Sequence, residues 1–306
     1  MRLDAELLAY LSDERQLTVR RDVPLSTLTT LRIGGAAELV LLPHDGGAML
    51  RLLDLLSLTE TPFYVLGAGS NLLASDTGYG GALLLTARLD RLSVSHGTLR
   101  VGAGVRLSRA VNAAREAGLS GLERLYGIPG SIGGALAMNA GAFGCEISEH
   151  LSHATLYDPE TRRVFVASRD ELEFSYRHSA IASRGLIVIS AAFGLRSDSR
   201  EAIGRRMREV IEQRRESQPK GYPSAGCIFR KTADGRSAGA LIESVGMKGR
   251  RCGDAVISEK HANFIINVGR ASASDFLALA ESARRAVLDA HGVLLEYELR
   301  LLGDFL

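Results

Sequence analysis

The sequence predicts an α+β protein. Three observations carry this: a strand, helix, strand alternation near the start, short strands parted by glycine turns in the middle, and charge-rich helical periodicity later on. At 306 residues the chain exceeds one ordinary domain, so two or three are expected, each able to bury its own core. The 37 Lys and Arg against 35 Asp and Glu leave a net charge of +2, too little for an electrostatic nucleic-acid footprint or a polybasic membrane anchor. Neither nucleic acid nor membrane is therefore expected as a partner. No apolar run reaches about 18 residues, which excludes a transmembrane helix on length. Met1-Arg2-Leu3-Asp4-Ala5-Glu6 places two acids where a secretory signal needs a basic start, so no signal is expected. Cys145, Cys227 and Cys252 form an odd set without Cys-x-x-Cys spacing. That argues against a zinc site and a disulfide framework; no metal is expected, and a reducing cytoplasm fits.

Taken in order, Leu3, Leu7, Leu8 and Leu11 recur at helical spacing and predict a short amphipathic helix over residues 3–11. A loop with Pro24 follows, then a strand over 38–43 ended by Pro43, a helix over 49–58 and a buried strand over 63–66. Short strands are expected at 82–85 and 98–101. Leu107, Val111 and Ala114 share one face of a helix over 107–117 that Gly118 stops. Strands at 154–157, 163–166 and 186–193 make the middle region a mainly antiparallel sheet. A doubly charged helix over 201–216 buries Ile203, Met207, Val210 and Ile211 and reads as a solvated face on its other side. After a Pro- and Gly-containing break at 218–223, a helix over 274–290, capped by Ser274 and stopped by Gly292, precedes a strand over 293–302.

Gly67-x-Gly69 and Gly102-x-Gly104 each follow a predicted strand, where bare backbone N–H groups can approach an anion. Neither is a dinucleotide fingerprint, because the third position of each is Leu72 or Leu107. Residues 127–144 hold six glycines with Ser, Asn and apolar residues but no charge. That composition suits neither a helix core nor a solvated linker. Two readings stand: a backbone wrapped around a buried ligand, with a pyrophosphate on the N–H groups near Gly130 to Gly134, or a small-residue packing turn between sheets.

Several of these stretches, taken together in order, resemble one enzyme family. They are Gly67-Ala68-Gly69-Ser70-Asn71-Leu72-Leu73, the glycine segment, Tyr176-Arg177-His178-Ser179, Tyr222-Pro223-Ser224-Ala225-Gly226-Cys227-Ile228-Phe229, Lys260-His261-Ala262 and Glu296-Tyr297-Glu298-Leu299-Arg300. Their order is that of the UDP-N-acetylenolpyruvoylglucosamine reductases, and the similarity runs from about Thr27 to Gly303. With no insert between the Tyr176 and Gly226 motifs, the chain resembles the shorter of the family's two types. The resemblance implies an FAD-binding fold of the vanillyl-alcohol-oxidase type in two subdomains, 1–72 (joined by the C-terminal strand) and 73–197, plus a C-terminal α+β substrate-binding domain, 198–306. Carried over residue by residue, Gly67, Gly69, Ser70, Asn71, Gly130, Ser131, Ile132, Gly133, Gly134, Asn139, Gly141 and Arg300 become flavin contacts.

The implied reaction uses NADPH and FAD to reduce the enolpyruvyl ether of UDP-N-acetylglucosamine enolpyruvate to UDP-N-acetylmuramate in peptidoglycan synthesis, with hydride passing from flavin N5 to C3. The resemblance assigns Arg177 to the growing negative charge, which its planar cation suits. It assigns Glu298, working best as the protonated acid with a raised pKa, to the substrate carboxylate. Cys227 stands where most of the family has a serine and is read as the donor of the C2 proton, since a thiol with a reference pKa of ~8.5 is mostly protonated at neutral pH. Without the resemblance, Glu298 reads as a solvent-facing strand residue. Arg230, Lys231, Lys260 and His261 are candidates for the substrate diphosphate, and Tyr126 for the sugar or nicotinamide. No obligate protein partner is implied. Two rival readings are a different flavin oxidoreductase on the same fold and a nucleotide-sugar sensor in which Cys227 marks lost chemistry.

Overall fold

A computed structural model of the chain describes Tyr10, Leu11 and residues 15–305. The helix expected over 3–11 therefore lies outside the described residues, apart from Tyr10 and Leu11, which are helical. The described chain is mixed α and β, and it divides into two compact units made of interleaved segments: 1–21, 39–68 and 81–213 in the first; 22–38, 69–80 and 214–306 in the second. Among the described residues, no helix is long and apolar enough to cross a membrane.

The first unit is built on a five-stranded antiparallel sheet in the order Arg163–Ser168, Leu151–Asp158, Ile187–Gly194, Thr98–Gly102, Leu92–Ser95. This is the antiparallel middle region expected from the short apolar runs. A four-stranded sheet runs in the order Leu17–Pro24, Ala36–Pro43, Tyr79–Leu85, Phe63–Leu66, with the last two parallel. The Gly46–Leu58 helix starts at Asp45, whose Oδ1 accepts from Ala48 N at 2.8 Å, and buries Ala48, Met49, Leu52, Leu53 and Leu56. Each such leucine contributes about 1.5–3 kcal/mol by leaving water. The Leu107–Glu116 helix buries Leu107, Ala110, Val111 and Ala114, as its periodicity predicts. In the Arg200–Ser217 helix Ile203, Met207 and Val210 are buried, whereas Ile211 is only half-buried. On its polar side Arg206 pairs with Glu123 at 2.7 Å and Asp198 at 2.6 Å. Burial would raise the Glu123 pKa, but hydrogen bonds from Gly121 N, Ser120 and Arg206 hold it below the usual glutamate range.

The second unit packs the helices Ala238–Ser244 and Ala273–His291 with an antiparallel sheet, Arg251–Cys252, Ala255–Ile257, Ile265–Asn267. Leu31, Ile33, Phe229, Ile242, Ile265 and Phe276 belong to its core. Two expectations change here. The long helix is capped by Ser272, not Ser274: Ser272 Oγ accepts from Asp275 N at 2.9 Å and Asp275 returns the bond to Ser272 N at 3.0 Å. Ser274 instead donates to the carboxylate of Asp76 through both N and Oγ. Gly292, at φ 66°, ends the helix as expected. The strand expected over 293–302 shrinks to Arg300–Leu302, which runs parallel to Leu72–Ala74. Ahead of it the backbone bonds to the segment after Cys227, so it leaves the sheet ladder.

Candidate active site

In the first unit, two glycine motifs about 60 residues apart in sequence meet. The Phe63–Leu66 strand ends at Gly67, and a Cβ on Gly67 would lie 2.3 Å from Ser131 Oγ and 3.9 Å from Gly134 N. Ser131 begins a short helix, Ile132–Ala137, inside the segment whose glycines suit a helix core poorly. Tertiary packing overrides propensity here: a Cβ on Gly133 would stand 3.1 Å from Ala103 Cβ, so glycine lets the helix lie against the neighbouring strand end. Ile132 N and Gly133 N donate to Val105 O and Ala103 O, both at 2.9 Å. These two amides are thus engaged and do not serve an anion. What remains is Ser131 Oγ, which is buried and has no partner among the described residues, and the first-turn amide of Gly134, a position without an intrahelical acceptor.

Further along the same segment, Asn139 is fully buried and left-handed, at φ 43°. Its Nδ2 donates to Glu146 Oε2 at 2.7 Å and to Ser175 O at 2.9 Å, which fixes the orientation of the amide. Its Oδ1 is consequently a buried acceptor with no donor among the described residues. Gly141 O accepts from Arg177 Nη2 at 3.1 Å. Arg177 sits at the tip of a tight turn closed by Ser175 and His178, at φ 54°, with its guanidinium 5.2 Å from the Tyr176 ring centroid. A side chain held left-handed is costly backbone, found where surrounding contacts impose it. Ser179, buried, anchors the far end of the turn through Ala137 O at 2.8 Å. Gly130 is half-buried, and Tyr126, also half-buried, packs against the apolar core.

These features fit FAD. A close-approach glycine, an orphan hydroxyl and a first-turn amide suit a pyrophosphate, whereas the orphan Oδ1 of Asn139 needs a donor such as a ring imide or a ribityl hydroxyl.

In the second unit, Cys227 lies in a loop read by Asn263. Ile228 N donates to Asn263 O, Phe229 N to Asn263 Oδ1, both at 3.0 Å, and Asn263 Nδ2 returns a bond to Phe229 O at 2.8 Å. Ile228 O then accepts from Glu298 N at 2.7 Å, so the residues next to Cys227 and at Glu298 share one peptide contact. Glu298 lies just before the last strand, not within it. Asn71 Nδ2 donates to Glu298 O at 3.0 Å and Asn71 O accepts from Arg300 N at 3.1 Å. Gly69 O accepts from Thr30 N at 2.9 Å, and Thr30 Oγ1 donates to Ser224 O at 2.7 Å. Ser70, Asn71, Cys227 and Glu298 thus belong to the second unit, and Arg177 to the first.

The diphosphate candidates differ. Arg230 keeps a buried Nε without a partner among the described residues. Lys231 is exposed, and Lys260 Nζ donates to Arg215 O. Burial pushes the His261 pKa down, so the ring favours its neutral form and offers a phosphate no fixed charge; its Nδ1 accepts from Asn263 N at 3.2 Å. Arg300 is exposed. One functional candidate escaped the sequence: Arg214, in the helix read as a solvated face. Burial holds its guanidinium below the usual arginine range, with the Cys227 side chain opposing that shift. Helical spacing carries no signal for it, since its neighbour is distant in sequence. Burial, then the Glu149 and Glu123 carboxylates, pushes the Cys145 thiol up to about 12.

Comparison with known proteins agrees with this geometry. Residues 37–166 match the family described as FAD binding domain, and residues 218–302 the family described as UDP-N-acetylenolpyruvoylglucosamine reductase, C-terminal domain. A UDP-N-acetylenolpyruvoylglucosamine reductase of Geobacter metallireducens is 41% identical over 304 residues, covering 99% of this chain and 100% of the relative. The chain belongs to the UDP-N-acetylenolpyruvoylglucosamine reductase family. Another reductase, from Caldicellulosiruptor bescii, is 39% identical over 93% of this chain and 91% of its own length. The crystal structure of the Thermus caldophilus reductase superposes with a TM-score of 0.81 at 38% identity, covering 94% of this chain and all of that one. The α+β, vanillyl-alcohol-oxidase-type FAD-binding fold expected from the sequence is therefore borne out, as is the shorter reductase type. Within this reductase family the chain is an FAD-binding oxidoreductase.

Proposed function

We propose that this chain reduces the enolpyruvyl ether of UDP-N-acetylglucosamine enolpyruvate to UDP-N-acetylmuramate, in the cytoplasm, as a step of peptidoglycan synthesis with NADPH as hydride source. Bound FAD supplies the hydride carrier between NADPH and C3 of the enol ether. Every other demand falls on the protein. Negative charge grows at C2 and on its carboxylate, and the Arg177 guanidinium, aimed by its left-handed turn, neutralises it. Glu298, as the acid, hydrogen-bonds the substrate carboxylate. Cys227 Sγ transfers its proton to C2, and the resulting thiolate lies in the field of Arg214. Arg230 takes the diphosphate, with Lys231, Lys260 and His261 around it and Tyr126 towards the sugar or nicotinamide. In this reading 1–72 and 73–197 serve the flavin and 198–306 the substrate, with no obligate protein partner.

The observation that carries the proposal is the single peptide of Ile228, which ties the Cys227 loop to Glu298. Cys227→Ser should keep substantial turnover. Cys227→Ala should slow flavin reoxidation by the enol ether by about 10²–10⁴-fold and leave flavin reduction by NADPH near the parent rate. Stopped-flow absorbance separates the two half-reactions; an equal loss in both removes Cys227 as proton donor.

A further inference from the structure

The turn that follows the glycine segment brings a thiol, a carboxylate and an imidazole together. Cys145, Glu149 and His150 each offer one ligand atom, and these atoms lie within 4.8 Å of one another. None of the three has a role in the reaction proposed above. Cys145 is buried, with Sγ 3.8 Å from Gly121 O and 3.9 Å from Glu146 O. Glu149 is exposed yet held: its Oε1 accepts from Glu146 N at 2.7 Å in a reciprocal capping box, leaving Oε2 for a cation. The His150 ring stands against bare backbone, because a Cβ on Gly121 would lie 3.0 Å from its Cε1 and Nδ1. Charges facing the thiol come from Glu149, Glu123 and Glu146 on one side and Arg124 on the other. With Arg206 paired to Glu123, three carboxylates meet two guanidinium groups, a balance that favours a cation.

We propose that Cys145, Glu149 and His150 bind a thiophilic divalent transition-metal ion of the Zn²⁺ and Co²⁺ class, with water in the fourth position. A mixed sulfur, nitrogen and oxygen set suits that class and not Mg²⁺ or Ca²⁺, which take oxygen ligands. Tetrahedral ligands at zinc distances stand about 3.5 Å apart, so the three atoms must close by roughly 1 Å. Closing the site therefore requires the exposed Glu149 and half-buried His150 side chains to shift towards Cys145. On binding, a metal–sulfur bond forms, the thiol proton leaves to solvent, and coordinated waters are displaced; no redox change is involved. The sequence rule that set zinc aside counted cysteine pairs, and a Cys-x-x-x-Glu-His ligand run escapes such a count. Glu146, between two of the ligands, pairs with Gly141 and accepts from Asn139, so an occupied site would stiffen the hairpin that presents Gly141 O to Arg177.

The test is zinc content, which is independent of the reductase reaction. FAD-loaded protein dialysed against micromolar Zn²⁺ should retain one zinc per chain, with one sulfur at about 2.3 Å in the zinc K-edge spectrum. Cys145→Ser and His150→Asn should each weaken binding more than about tenfold, whereas Cys252→Ser should leave it unchanged. Flavin spectrum and melting temperature without zinc check that each variant is folded, with Cys145→Ala as a second variant. No retained zinc, or a zinc–sulfur signal that survives in Cys145→Ser, overturns the proposal.

Discussion

A buried asparagine serves as a hydrogen-bond hub beside each half of the candidate site, Asn139 in the first unit and Asn263 in the second, and the two differ in one atom. Asn263 satisfies both ends of its amide on the same residue, taking Phe229 N and giving to Phe229 O. Asn139 gives both protons, to Glu146 and Ser175, but its Oδ1 receives nothing from the described residues. A buried polar atom without a partner costs about 1–3 kcal/mol, so the first arrangement is a clamp complete in itself and the second is a clamp that waits for a ligand. The contrast separates the residues that shape the loop around Cys227 from those that expect the cofactor.

The largest expected effects come from breaking these hubs. Asn263→Ala should lower stability by about 2–4 kcal/mol, to the same extent with or without FAD, because every lost bond is internal. Asn139→Ala should show a larger deficit with FAD than without it, read from thermal unfolding under both conditions. Equal deficits would place Asn139 with Asn263 as a purely structural clamp.

A smaller effect is expected from Gly67→Ala. The new Cβ would displace Ser131 Oγ, weakening FAD by about tenfold, or 1.4 kcal/mol, with little change in flavin-free stability. Fluorescence titration of FAD would show this; unchanged affinity would remove the Gly67 and Ser131 pair from the cofactor site.

Acid should sharpen the comparison further. His261 is kept neutral by burial, so its folded pKa lies below 6.5 and the unfolded chain binds the extra proton first. Stability of the second unit should begin to fall as pH drops below 6.5 and continue to fall down to the depressed folded value. Glu123 has its folded pKa below 4.5, so its contribution to the first unit persists above 4.5 and is lost as pH falls from there through the folded value. Hydrogen exchange between pH 6.5 and 4.5 should therefore loosen the second unit first, and His261→Asn, which keeps an acceptor for Asn263 N, should flatten that loss. The smallest effect is at the long helix: Ser272→Ala should cost about 1 kcal/mol and Ser274→Ala less, by urea unfolding.

The sequence by itself determined the α+β class, the antiparallel middle sheet, a helix over 49–58, the apolar face of the helix beginning at Leu107, and the Gly292 stop. These follow from local periodicity and from backbone conformations that few residues tolerate. It also carried the motif order by which the reductase family is recognised. Tertiary structure alone decided the rest. The Ile132–Ala137 helix exists because glycine permits contact with Ala103, a residue some thirty positions away. The final strand is short because the backbone before it bonds to Ile228 and Arg230. The orphan oxygen of Asn139, the half-buried Arg214 in the field of Cys227 and the meeting of Cys145, Glu149 and His150 have no signature in helical or strand spacing. Each depends on which atoms burial leaves unpaired or brings into one another's field, and burial is a property of the folded chain, not of any window of its sequence.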